Sequence, residues 1–328
     1  MTKIKEIEYY FPENRVFNDS ENRTTKKIGI SSKYIAAENE TALDLAIKAA
    51  EKIFENGVNR KEEIDFLLFC TQSPDYILPT SACIIQEKLG LPTSCGALDF
   101  NLGCSGFIYG LSLAKGLITS NQATNVLLLT ADTYSKYIDE TDLSTALLFG
   151  DGAAATLITK SDDDCIGEFV FGTDGSGANN LIIYSGAARE PFASNGDTKF
   201  EDGRGQIRNK TDLYMNGPEV FNFAMREVPE SIYSLLEKEH KTITDYDYFV
   251  FHQANQYMLN ALRKRLEIDV NKFSIQMSDC GNTVSATIPI ALKREIEEGK
   301  IKDGHTILLA GFGVGLSWAS CSLKINLN

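Results

Sequence analysis

The feature that most constrains this chain is an internal repeat. The run DYFVF (247–251) matches DFLLF (65–69) 182 positions earlier, and TILLA (306–310) matches NVLLL (125–129) 181 positions earlier. Residues 318–325 then echo 153–158. Near-equal offsets of this size indicate a duplicated unit. Within each copy, Val-, Ile-, Leu- and Phe-rich runs alternate with helical patterns, which predicts buried strands in an α/β arrangement. The stretch 41–54 puts Leu43, Ile47, Ala50 and Phe54 on one face, with Gly57 placed to cap it. Further helices are expected at 80–89, from about 104 with Phe107, Leu111, Ala114 and Ile118 inward, and at 218–237. The halves divide at 1–165 and 166–328, with a site expected between them. Gly150-Asp151-Gly152 reads as a tight turn, and the polar, glycine-rich stretch 187–208 as a surface excursion.

Composition narrows the function classes. The chain has 328 residues, 43% of them apolar, enough for two sizeable cores. Its longest apolar runs fall far short of the ~18 residues that span a bilayer, and the first residues lack a signal-peptide core. A cytoplasmic protein is expected. The net charge of −13 opposes binding to nucleic acid and to anionic membranes. The basic run Arg263-Lys264-Arg265 reads on composition as a solvated helix face. Seven cysteines without a CxxC pair, and three histidines, give neither a zinc pattern nor a disulfide framework. Cys70, Cys83 and Cys321 lie in apolar runs and are expected to pack as small hydrophobes.

Cys104 is different. It lies between a strand ending at Phe100 and a helix carrying Phe107, in NLGCSGF. A helix N-terminus stabilises a thiolate, and Gly103 and Gly106 leave room for a substrate, so a nucleophile stands beside the alternative of a packed thiol. His240 and His305 fall in polar stretches, whereas His252 directly follows the strand 248–251, at the edge where α/β proteins place their sites. A structural histidine is the competing reading. Asn282 lies in CGNTVSATIP, where a turn or cap role is equally open. The glycines 311, 313 and 315 precede a strand pattern instead of a helix, so a dinucleotide loop fails its context.

Four segments, LDFNLGCSGFIYGL, FHQANQYML, CGNTVSATIPIAL and AGFGVGLSWAS, together resemble the signatures of the β-ketoacyl-acyl-carrier-protein synthase III family of the thiolase superfamily. LPTSACIIQEKLGLP, LLFGDGAAATLI and LYMNGPEVFNFA add to the resemblance, which runs from about residue 28 to 325. It implies a thiolase-like αβαβα fold of duplicated halves. It also implies an acyltransferase that forms an acyl-cysteine on Cys104 and condenses it with a malonyl thioester. The backbone N–H groups of Cys104 and Val314 would form the oxyanion hole, and His252 Nε2 and Asn282 Nδ2 would hold the enolate. No permanently bound cofactor is implied; acyl-coenzyme A or acyl-carrier protein and a malonyl thioester are the substrates. Lys264 and Arg265 match positions that dock an acidic carrier protein, and Leu78 the position that reaches a partner subunit's acyl pocket in a homodimer.

The resemblance has gaps. The family's adenine-stacking Trp near the N-terminus is absent, since Trp318 is the only tryptophan. Its clamping Arg is Leu143 here, the Arg after His-Gln-Ala-Asn is Tyr257, and the middle glycine of Gly-Phe-Gly-Gly-Gly is Val314. These departures point to a specialised member. An acyl transfer to an oxygen or nitrogen nucleophile is the alternative activity. A cysteine hydrolase shares the chain order Cys, His, Asn but lacks the context here, and a non-catalytic binding module is the third class.

Overall fold

The computed structural model describes residues 1–55, 57–192, 200–201 and 207–327. Most of the expected excursion at 187–208 therefore lies outside the described residues. Two sheets carry the molecule. The first contains β1 (Thr2–Tyr10), β2 (Phe66–Cys70), β3 (Gly96–Phe100), β4 (Asn125–Asp132) and β5 (Gly152–Lys160), in the order β1-β5-β4-β2-β3. The second contains β6 (Ile166–Thr173), β7 (Tyr248–Phe251), β8 (Thr306–Gly313) and β9 (Ser317–Lys324), in the order β7-β8-β9-β6. The main helices are α1 (Ala42–Glu55), α2 (Ser81–Leu89), α3 (Gly106–Thr119), α4 (Gly217–Glu239), α5 (Gln256–Arg265) and α6 (Thr287–Glu297).

The repeat holds element by element. Strand β2 is parallel to β4, and β5 runs antiparallel to both β4 and β1. In the second sheet β7 is parallel to β8, and β9 runs antiparallel to both β8 and β6. Helices α1, α2 and α3 are answered by α4, α5 and α6. Among the described strands of the two sheets, only β3 lacks a full counterpart; a single parallel bridge from Phe249 to Phe273 stands in its place.

Strand periodicity explains the layers. Alternate residues face opposite sides, so runs apolar at every position are buried twice. Leu67, Phe69, Leu127 and Leu129 face outward against Leu43 and Ile53 of α1 and Ile85 of α2. Leu68 and Leu128 face inward, where α3 (Phe107, Leu111) and α6 (Ile288, Leu292) lie between the sheets and meet Val250 and Leu309 of the second. Val228 and Ile232 of α4 and Leu259 and Leu262 of α5 cover the far side. The result is an αβαβα sandwich. The central helix α3 sits so close to its sheet that a Cβ on Gly106 would come 2.2 Å from Cys70 Sγ, so only glycine fits there.

Two local expectations fail. Residues 150–152 are not a tight hairpin turn: Phe149 bridges Asn282, Gly150 N donates to Asn282 O, and Asp151 is wholly buried, accepting from the N–H groups of Ala36 and Ser135. The segment is a buried crossing to the second half. Cys83 is exposed, because it lies on the solvent face of α2 rather than on the face carrying Ala82 and Ile85.

Candidate active site

Cys104 stands just before α3 and is 6% exposed. The Ser105 hydroxyl at the N-cap bonds Ser317 at 2.7 Å, tying the start of α3 to the second sheet. Glycine at 313 makes the approach possible, since a Cβ there would lie 2.8 Å from Cys104 Cβ and 2.9 Å from Sγ. The backbone N–H groups of Cys104 and Val314 reach the sulfur and act to lower its pKa. Burial, and then the charge of Asp132, outweigh them and push the thiol well above its ordinary value. The resting sulfur is a protonated thiol. This corrects the expectation of a stabilised thiolate: the helix N-terminus is present, but desolvation is the larger effect.

His252 follows β7 and is 2% exposed; burial takes its pKa down to about 3. Its tautomer follows from its neighbours. Val284 N donates to Asn282 Oδ1 at 2.9 Å, which turns Asn282 Nδ2, a donor only, toward His252 Nε2 at 3.5 Å. The Thr287 hydroxyl donates to Val284 O at 3.0 Å and so accepts from Nδ1–H at 2.7 Å. The ring is neutral, with its proton on Nδ1 and its lone pair on Nε2. In this arrangement Nε2 accepts from Asn282 at rest. Phe312 meets the ring edge-on at 5.5 Å.

Asn282, 3% exposed, is held by its backbone: its N–H donates to Leu148 O and its carbonyl accepts from Gly150 N. Cys104, His252 and Asn282 line one cavity, walled by Tyr134, Phe149, Met215 and Met258. The Tyr134 hydroxyl donates to Gln72 Oε1 at 2.6 Å.

Other candidates lie apart from this cavity. Lys264 and Arg265 are exposed on the last turn of α5. Leu78 is 80% exposed, beside Tyr76 and Ile77, which are also exposed. Leu143 is exposed and opens the short helix Leu143–Ala146, capped by Asp142. Arg208, from a distant segment, pairs with Asp142 at 2.6 Å and stacks 4.8 Å over Tyr214. Tyr257 carries the Lys27 ammonium 4.2 Å above its ring. Sequence reasoning missed Asp132, Thr287 and Tyr134; an acid closing the apolar run LLLTAD was the available signal for the first.

Comparison with known proteins agrees with this geometry. Residues 98–175, which include Cys104, match the family described as 3-oxoacyl-[acyl-carrier-protein] synthase III, and residues 236–325, which include His252, Asn282 and Val314, match its C-terminal part. A β-ketoacyl-[acyl-carrier-protein] synthase III of Clostridium perfringens is 38% identical over 325 residues, covering 96% of this chain and 97% of its own. That of Clostridioides difficile is 36% identical over 95% and 92%. A crystal structure of a 3-oxoacyl-(acyl-carrier-protein) synthase III superposes with a TM-score of 0.96 at 47% identity, covering 99% of both chains. The Thermus thermophilus enzyme superposes at 0.88 with 34% identity, over 99% of this chain and all of its own. With a duplicated thiolase-like fold and full-length relatives at this identity, the chain belongs to the β-ketoacyl-acyl-carrier-protein synthase III family.

Proposed function

We propose that this condensing enzyme of the synthase III type carries its acyl group on Cys104 and decarboxylates a malonyl thioester between His252 and Asn282. The observation that carries this reading is the convergence of the three residues on one cavity, with the Val314 N–H at the sulfur.

The Cys104 sulfur attacks the thioester carbonyl, and its proton goes to the lone pair on His252 Nε2. The tetrahedral oxygen lies on the N–H groups of Cys104 and Val314. The pantetheine arm leaves as a thiolate and takes a proton from water. In the malonyl thioester the C–CO2 bond then breaks and its electron pair moves into the carbonyl. The enolate oxygen is held by Nε2–H and by Asn282 Nδ2. Its carbon attacks the acyl-cysteine, and Cys104 leaves as a thiolate that recovers the proton from His252. No bound cofactor enters. A protonated thiol beside a neutral imidazole is the reverse of the thiolate–imidazolium pair on which cysteine hydrolases run.

An acidic carrier protein delivers the arms, a reading supported by exposed Lys264 and Arg265 and by Lys27 over Tyr257. With Leu143 at the clamp position, free acyl-coenzyme A is the weaker donor. The exposed tip at 76–78 supports a homodimer in which Leu78 enters the partner's acyl pocket. The change of sheet between β5 and β6 supports the division into 1–165 and 166–328. Seven unpaired cysteines favour the reducing cytoplasm.

Intact-mass measurement with acyl thioesters tests the reading. An adduct on Cys104 that vanishes in Cys104→Ala is expected, together with a loss of malonyl decarboxylation in His252→Ala and Asn282→Ala larger than their loss of acylation. An adduct on another cysteine, or steady release of free acid, would overturn it.

A further inference from the structure

Two contacts cross between the halves at the same place in the repeat. Strands β4 and β8 end at Asp132 and Gly313, 181 positions apart, and helices α3 and α6 open at Gly106 and Thr287, also 181 apart. Cys104 and Ser285 therefore hold equivalent places, each two residues ahead of its helix. At one crossing, Gly313 of the second half closes over Cys104 of the first. At the other, Asp132 of the first half reaches Ser285 of the second.

Asp132 is wholly buried. One carboxyl oxygen accepts from Gln72 N at 2.7 Å; the other accepts from Ser285 N at 3.2 Å and from the Ser285 hydroxyl. All three donors are neutral, and a carboxyl so placed is costly to keep. Burial raises its pKa to about 7. The acyl transfer and condensation above make no use of it.

The Ser285 turn is the one that matters for the chemistry. Val284 N aims the Asn282 amide, and Thr287, through Val284 O, sets the His252 ring. Both enolate donors thus hang on residues 282–287, and Asp132 joins this turn to the strand end beside Cys104.

We propose that Asp132 is a positioning residue for decarboxylation: by latching Ser285 across the two halves, it fixes the turn that aims Asn282 Nδ2 and His252 Nε2 at the thioester carbonyl. This rests on the reading of those two residues as enolate donors.

The test separates the half-reactions in Asp132→Asn, Ser285→Ala and the double variant, using acyl-Cys104 formation by intact mass and carbon dioxide release from malonyl thioester. An amide at 132 offers one acceptor oxygen where the carboxylate offers two, so the latch opens. Asp132→Asn is expected to slow decarboxylation about 10- to 100-fold with KM nearly unchanged, the size of a lost hydrogen bond to a charged group. Acylation should fall by less than about 5-fold, and the double variant should match Asp132→Asn within about 3-fold because both changes open one latch. Should Asp132→Asn not fold, Ser285→Ala carries the test with the same split at about 3- to 10-fold. Equal loss of both half-reactions, additive losses, or no loss would overturn the proposal. Hydrogen exchange at the Val284 and Ser285 amides reads the latch without substrate; it should quicken about 10-fold or more in Asp132→Asn, and unchanged exchange would overturn it. If the native protein decarboxylates no malonyl thioester, the proposed function fails, and exchange alone decides the latch.

Discussion

At the two crossings between the halves, one backbone arrangement serves opposite ends. Where the strand ends in Gly313, the missing side chain lets the backbone come up against Cys104. Where it ends in Asp132, the equivalent space is filled by hydrogen bonds to Ser285 and Gln72. A third pair follows the same logic. Cys70 ends β2 at the place where His252 follows Phe251, yet its sulfur donates to Leu102 O at 2.8 Å and meets the Ser285 hydroxyl. The fold is nearly symmetric and the chemistry is not. A few side chains set on equivalent positions make the difference.

The largest expected effect is from crowding the crossing at Gly313. Gly313→Ala places a methyl 2.9 Å from Sγ, and a displacement of about 1 Å at the nucleophile should cut acyl-enzyme formation at least about 100-fold. Rapid-quench acylation measures this, and near-native rates would mean the crossing is not tight. Next comes Thr287→Val, which keeps the shape but removes the hydroxyl between His252 Nδ1 and Val284 O. Decarboxylation should fall about 10-fold, the value of one buried hydrogen bond with its tautomer preference. An unchanged rate would show that the ring is oriented by packing against Phe312 alone.

The two buried titratable groups oppose each other on acidification. His252 falls from 6.5 to about 3 on folding, so the unfolded chain binds its proton first and stability is lost as pH drops from 6.5 toward 3. Asp132 rises from 3.8 to about 7, so the native state binds its proton first and stability is gained as pH drops from 7 toward 3.8. Each slope is at most about 1.4 kcal/mol per pH unit. The stability deficit of Asp132→Asn relative to native should therefore grow between about pH 8 and 5, and that of His252→Gln should shrink between about pH 7 and 4. Thermal unfolding across pH measures both, and parallel curves would break the assignment. The smallest effect is expected at Cys70→Ala: a stability loss of about 1–2 kcal/mol for the buried sulfur, with kcat within about 3-fold. A large kcat loss would give Cys70 a share in the chemistry that its place opposite His252 otherwise lacks.

Much of this was legible in the sequence. The offsets of 181 and 182 announced the duplication, because buried strands must be apolar at every position and so repeat visibly. The strand before His252 and the helix after Cys104 placed both residues correctly. What stayed hidden depends on contact between the halves. The thiol's raised pKa comes from burial and Asp132, neither of which a local motif records. The segment 150–152 looked like a turn because its glycines serve a close crossing, where a Cβ on Gly150 would meet Cys280 O at 2.2 Å. Cys83 looked buried because composition does not show which face of a helix meets solvent.

The crossing geometry also bears on how this chain can be divided. Each strand end closes over the helix start of the other half, so neither half alone contains Cys104 with Gly313 and Val314 beside it, or Ser285 with its Asp132 partner. The join between Lys160 and Ile166 is short, and residues 162–164 are exposed. A chain opened there would have catalysis only as a property of reunion: the two pieces, inert apart, would report by their turnover how completely they had found each other.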